Sequence, residues 1–109
     1  MLKFELHFMY CSKLDEDQRE EQTATVEADT FNEAIDVMYY HLDDFVNSII
    51  DDFFGDEDLQ WYEYPEDPRR VRDNISVTLS FKGKSKCFKN AYTFGSYLCK
   101  YFKDEMEAL

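Results

Sequence analysis

Glycine and proline are scarce in this chain of 109 residues, at three and two. That leaves little room for flexible linkers. It also excludes a glycine-rich phosphate loop, because Gly55, Gly83 and Gly95 each stand alone. No run approaches the ~20 apolar residues of a membrane span, and the N-terminal stretch MLKFELHFMYCSK alternates as a strand does rather than forming the apolar block of a signal peptide. Cys11, Cys87 and Cys99 are odd in number, with no CxxC pair. They predict free, mostly buried thiols in a reducing cytoplasm. Histidine is limited to His7 and His41, neither beside a sequence-local nucleophile. The largest deficit is positive charge. Residues 1–68 hold only Lys3, Lys13 and Arg19 against twenty carboxylates, a balance of −17, while residues 69–109 hold nine basic and four acidic side chains, a balance of +5. Self-repulsion at the resulting net charge of −12 works against compactness, so something other than stability maintains it.

Hydrophobic residues at 44% and aromatic residues at 17% exclude an acidic disordered chain and predict one compact domain over residues 1–109. Leu2, Phe4, Leu6, Phe8 and Tyr10 alternate with polar positions and mark a first strand. Glu21–Ala28 marks a second, with Ala24, Val26 and Ala28 facing inward, joined to the first through a long acidic tip. Thr30 and Glu33 fit a capping box in which the Glu33 carboxylate returns to the Thr30 amide. They open a helix of some 24 residues, about 36 Å long at 1.5 Å per residue. Its apolar stripe comprises Phe31, Ile35, Met38, Leu42, Phe45, Val46, Ile49 and Phe53, and Gly55 stops it. An irregular acidic and aromatic segment covers residues 56–68. Asn74–Phe81 reads as a third strand, Lys82–Ser85 as a turn and Lys86–Lys89 as a short fourth strand. Asn90 caps a second helix that faces the core with Ala91, Phe94, Leu98 and Phe102, and Met106 extends the stripe. The fold class is therefore α+β: an antiparallel sheet packed by one long and one shorter helix, in the order ββα, loop, β(β)α. A ββα unit used twice, over residues 1–55 and 72–109, accounts for the shared order of the two halves. The small menu of α+β sandwiches accounts for it equally well.

Two constellations carry the functional reading. On the long helix, Asp36, Asp43, Asp44 and Asp51 lie within about 100° of one another, opposite the apolar stripe. The helix contains no Lys or Arg to pair with them. Beyond it, Asp56, Glu57 and Asp58 are followed by Trp61 and Tyr62, residue types enriched at binding hot spots. Carboxylates where a basic groove expects phosphates, and rings where it expects bases, form a surface suited to such a groove. The bland readings are a solvated helix face and rings that pack the loop onto the core. The segment lacks the register of an EF-hand calcium loop, since Phe53 occupies a ligand position when Asp51 is first. No metal, cofactor or catalytic residue is assigned, and no enzyme activity is expected. The Asn74-Ile75-Ser76 sequon carries no weight without a secretory signal. The basic cluster of Arg69, Arg70, Arg72, Lys82, Lys84, Lys86 and Lys89 is expected to neutralise the acidic half within one molecule, or between two as a homodimer, rather than to bind nucleic acid against the field of the whole chain.

In size, net charge, aromatic richness and its acidic helix and loop, the chain resembles, as a class, the small acidic phosphate-mimicking inhibitors that phages and mobile elements direct against host nucleases, the anti-CRISPR and anti-restriction proteins. The resemblance rests on no diagnostic motif, and the basic second half departs from the uniformly acidic version. It implies a stoichiometric inhibitor in the cytoplasm, that of the host bacterium if the protein is phage-encoded. Its partner would be a basic nucleic-acid-binding protein such as a CRISPR effector or restriction nuclease, with the acidic and aromatic residues above in the nucleic-acid or PAM-binding channel. The alternative is a non-catalytic protein–protein interaction module without nucleic-acid mimicry.

Overall fold

The computed structural model describes residues 1–64 and 66–109. Strands β1 (Leu2–Cys11) and β2 (Arg19–Ala28) form the first hairpin, and β3 (Ile75–Phe81) and β4 (Lys84–Phe88) the second. β1 and β3 pair antiparallel at the centre, which gives the sheet order β2-β1-β3-β4. Period-two alternation sorts the faces. Phe4, Leu6, Phe8 and Tyr10 on β1 are buried beside Ile75, Val77, Leu79 and Phe81 on β3, with Leu6 opposite Leu79. The helices cover this face. The other face presents small polar and charged side chains, among them Glu5, His7, Thr23, Thr25, Thr78 and Ser80.

Helix α1 (Phe31–Phe54) lies over β2 and β1 and buries Ala34, Met38, Leu42, Phe45, Val46 and Ile49. Its cap differs from the expected box at one atom. The Thr30 hydroxyl accepts from the Glu33 amide at 3.1 Å, but the Glu33 carboxylate accepts from the Asp29 amide, one residue further back, at 3.1 Å. β4 begins earlier than the sequence suggests. The turn is only Lys82-Gly83, both at positive φ (51° and 77°), the geometry of a two-residue hairpin turn. Asn90 caps α2 (Ala91–Lys100), accepting from the Thr93 amide at 2.9 Å.

The second helix of the sequence reading is two segments. It breaks at Tyr101, and α3 (Phe102–Glu107) follows. The cause is the spacing of its apolar residues. Phe94, Leu98, Phe102 and Met106 recur every fourth position, which drifts by about 40° per step on a straight helix. Resetting the direction at Tyr101 keeps Phe102 and Met106 buried. A second correction concerns the thiols. All three are free, but only Cys11 is half-buried; Cys87 and Cys99 are exposed. Cys87 lies on the uncovered face of an edge strand and Cys99 beside the Tyr39 hydroxyl. Among the described residues no helix is long and apolar enough to cross a membrane.

Phe4 is where the elements converge. Its ring stacks on Phe81 at 4.3 Å between centroids and contacts Phe102 at 5.3 Å and Phe31 at 6.5 Å. Phe4→Ala leaves a cavity bounded by β3, α1 and α3 that none of them can fill alone. It is expected to lower stability by about 3–5 kcal/mol in urea denaturation.

Candidate acidic interface

The outward face of α1 is set by the same periodicity that buries its apolar stripe. Asp36, Asp43, Asp44 and Asp51 are all exposed, spread over about 22 Å of helix axis from Asp36 to Asp51. Among the described residues, Asp36, Asp44 and Asp51 have no ion-pair partner, while Asp43 is met by Arg72 at 3.2 Å. Tyr40, one turn from Asp36 and Asp44, is 68% exposed within this strip. Sequence reasoning passed over it, although the helical wheel that grouped the aspartates places it among them.

The acidic segment after the helix is held in a defined shape. The Tyr64 hydroxyl donates to the Phe54 carbonyl at 2.8 Å and accepts from the Asp56 amide at 3.0 Å. It thereby satisfies the helix end and folds the loop back, with its ring edge-on to Phe54. Gly55 is required at this bend, since a Cβ there would lie 2.4 Å from the Asp51 carbonyl oxygen. The Asp56 carboxylate accepts from the Asp58 amide at 2.9 Å and so fixes its own turn. Asp56, Glu57 and Asp58 are exposed. Residue 65, inside the segment read as irregular, lies outside the described residues.

Trp61 and Tyr62 are 47% and 66% exposed. They sit in a single 3₁₀ turn, Trp61–Glu63, with rings edge to face. Tyr62 is open to a partner. Trp61 is not free on both sides: the Arg69 guanidinium lies 3.5 Å from its ring centre, held there by two hydrogen bonds of 3.0 and 2.9 Å to Asp67. That pairing keeps the Asp67 carboxyl below its usual range. Arg70 pairs with Asp73 at 2.9 Å. The three arginines are therefore matched to carboxylates of the same molecule.

Glu66, within the acidic segment 56–68, is a fastener. Its carboxylate accepts from the Lys13 amide and the Asn74 side chain, both at 3.1 Å, and from the hydroxyls of Ser12 and Tyr10. Ser12 in turn accepts from the amides of Leu14 and Asp15, which shapes the tip of the first hairpin. Burial, followed by the neighbouring Glu66 charge, pushes the Tyr10 phenol up to about 12. One carboxylate thus ties the acidic loop to the hairpin tip and to the start of β3.

Carboxylates also crowd the end of α1. Asp51 and Asp52 occupy its last turn, at the negative end of the helix dipole, with no basic residue there. Glu20 on β2 lies close to Asp52. Partial burial and then Asp52 raise the Glu20 pKa, while a hydrogen bond from Ser48 opposes the rise. Among the described residues no three His, Cys, Asp or Glu side chains are placed to hold a metal ion. Comparison with family models, with curated proteins and with solved structures finds no match to the chain.

Two variants test these roles. Glu66→Ala leaves four donors without their acceptor and is expected to cost about 2–3 kcal/mol in denaturant melts, with faster amide exchange over residues 12–18. Asp52→Asn has the opposite sign. It removes charge from the negative helix end and from beside Glu20, and is expected to stabilise the protein by about 0.5 kcal/mol at neutral pH. The Glu20 part of this gain arises because a raised pKa means that the ionised form is penalised in the fold. It is present above the folded pKa and fades as pH falls toward the ordinary value of 4.5. Melts of the variant and the parent across pH 4–8 show this convergence.

Proposed function

We propose that this protein is a stoichiometric inhibitor that occupies the basic nucleic-acid-binding channel of a host defence nuclease, of the kind met by anti-CRISPR and anti-restriction proteins. The observation that carries the proposal is the row of exposed carboxylates Asp36, Asp44 and Asp51 on the outer face of α1, followed in the chain by exposed Asp56, Glu57 and Asp58. Among the described residues none of these six has an ion-pair partner, and only the neighbouring Asp43 is met, by Arg72. The strip follows a helix of 24 residues, about 36 Å long, comparable to one turn of duplex DNA. Exposed Tyr40 and Tyr62 add ring surface for the apolar and stacking positions of such a channel. The placement of Asp51 and Asp52 at the negative helix end supports the same reading, because that arrangement costs stability and is explained by a partner that uses the charge. Arginines that read a PAM or clamp phosphates would take these carboxylates as bidentate partners.

Charge reversal at the unpaired positions, Asp36→Lys with Asp44→Lys and Asp51→Lys, tests it. Wild-type protein immobilised in bacterial lysate is expected to retain a nucleic-acid-binding protein, to release it to added duplex DNA or raised salt, and to block that protein's cleavage of DNA. The triple variant should melt near the parent temperature and lose affinity by roughly a hundredfold. Full inhibition by the variant, or a partner indifferent to DNA, overturns the proposal.

A further inference from the structure

β4 is an edge strand left open on its outer side. Four of its five residues, Lys84 to Cys87, are exposed and only Phe88 is buried. The two-residue turn makes Phe81 and Lys84 the first hydrogen-bonded pair of the hairpin. Antiparallel bonding alternates from there, so Lys84, Lys86 and Phe88 bond to β3 while the N–H and C=O groups of Ser85 and Cys87 point away from the sheet.

Beneath this edge, on the face that carries the helices, a groove runs between β4 and helices α2 and α3. Lys86 divides it into two hollows. One, of about 340 Å³, is lined chiefly by apolar surface of Leu79, Phe81, Tyr97 and Met106. The other, of about 550 Å³, is lined by Phe88, Tyr97, Tyr92 and Tyr101. Tyr92 and Tyr101 are more than half exposed on its rim. Lys86 is fixed at the divide, 4.4 Å from the Tyr97 ring centre and 3.4 Å from Glu105, which also accepts from the Tyr97 hydroxyl. Lys82, Lys84 and Lys89 surround the edge and have no ion-pair partner among the described residues.

We infer that this edge and groove bind an extended, acidic segment of a partner protein, which adds to β4 as a fifth strand. The backbone groups of Ser85 and Cys87 supply the pairing. Alternate side chains of the added strand, about 7 Å apart, turn toward the helices and enter the two hollows. The unpaired lysines determine the occupant's charge, since only a segment carrying carboxylates meets them favourably. α1 covers β2 and β1, so this surface lies at the sheet edge opposite the acidic strip and stands or falls independently of it.

The test uses a fluorescein-labelled nonapeptide that alternates glutamate with leucine and valine. Fluorescence anisotropy should show saturable binding, with chemical-shift changes at the amides of Ser85 and Cys87. The same peptide with lysine for glutamate should bind roughly tenfold more weakly or worse. Ser85→Pro removes an outward N–H without touching a backbone bond to β3, a substitution that edge strands accept; the hydroxyl contact of Ser85 with Ser80 at 2.8 Å is lost equally in Ser85→Ala, which serves as its control. It should abolish binding while Ser85→Ala preserves it. Lys84→Glu should weaken binding with the melt unchanged, which gives a second reading if the proline variant fails to fold. The proposal is overturned if the glutamate peptide does not bind at about 1 mM, if its shifts map away from β4, or if Ser85→Pro folds and binds as the parent does. It is also overturned if the protein alone sediments as an oligomer that Ser85→Pro dissolves, since the occupant is then the acidic β2 edge of a second copy.

Discussion

The antiparallel pairing of β1 with β3 joins two hairpins that would each be marginal alone, and the side of β1 that carries Phe4, Leu6, Phe8 and Tyr10 is the surface on which the rest of the chain assembles. Phe4 meets Phe81 from the second hairpin, Phe31 from the start of α1 and Phe102 from α3. Phe8 stacks on Phe45 in the middle of α1, and Tyr10 packs on Phe53 near its end. Three rings on one strand, spaced by the pleat, therefore register α1 along its length. Once α1 is laid down in that register, its opposite face is fixed, and with it the line of aspartates. The orientation of the acidic strip follows from the core.

The strand order also separates charge in space. The acidic hairpin and α1 occupy one side of the molecule, and the basic hairpin β3–β4 the other. The opposite charges meet at the seam, where Arg72 reaches Asp43 and Arg69 reaches Asp67. These pairs are exposed and contribute little to stability. Their effect is to use up the clustered arginines, leaving, among the described residues, most of α1 unneutralised on one side and Lys82, Lys84 and Lys89 around β4 unneutralised on the other. Mixing the two signs along each element would be the more stable design. The segregation means that each surface presents a single sign to whatever approaches it.

How much of this was readable from the residues depends on the range of the interaction. The existence of the four strands, the capping residues Thr30 and Asn90 and the apolar stripe of α1 are local patterns of two, three and four residues, and they were legible; the bounds of β4 and the partner of the Glu33 carboxylate were not. The break at Tyr101 was hidden because a four-residue repeat looks helical until its drift is followed to Phe102. The exposure of Cys87 depends on β4 being an edge, which only the strand order decides. Glu66 and Tyr64 were misjudged or missed for another reason. In an acidic run a carboxylate bonded to Ser12, Lys13 and Asn74 looks the same as one facing water, and those partners lie up to 54 residues away. Trp61 is exposed, but the Arg69 stacked upon it belongs to the charge cluster that the sequence treats separately.

The two surfaces differ in physical kind, which makes them separable. As proposed, the acidic strip would act through charges spread over about 22 Å of exposed helix, a span that exceeds the Debye length of about 8 Å at physiological ionic strength. Its distant charges are screened from one another, so each carboxylate must be met at close range by its own cation, and salt weakens the whole contact. The β4 edge, as proposed, would act through backbone hydrogen bonds and apolar hollows, with lysines selecting the sign of the occupant. Raised salt removes that selection but leaves the pairing and the burial. A partner held by the strip is therefore lost as salt rises, whereas one held by the edge loses specificity before it loses affinity.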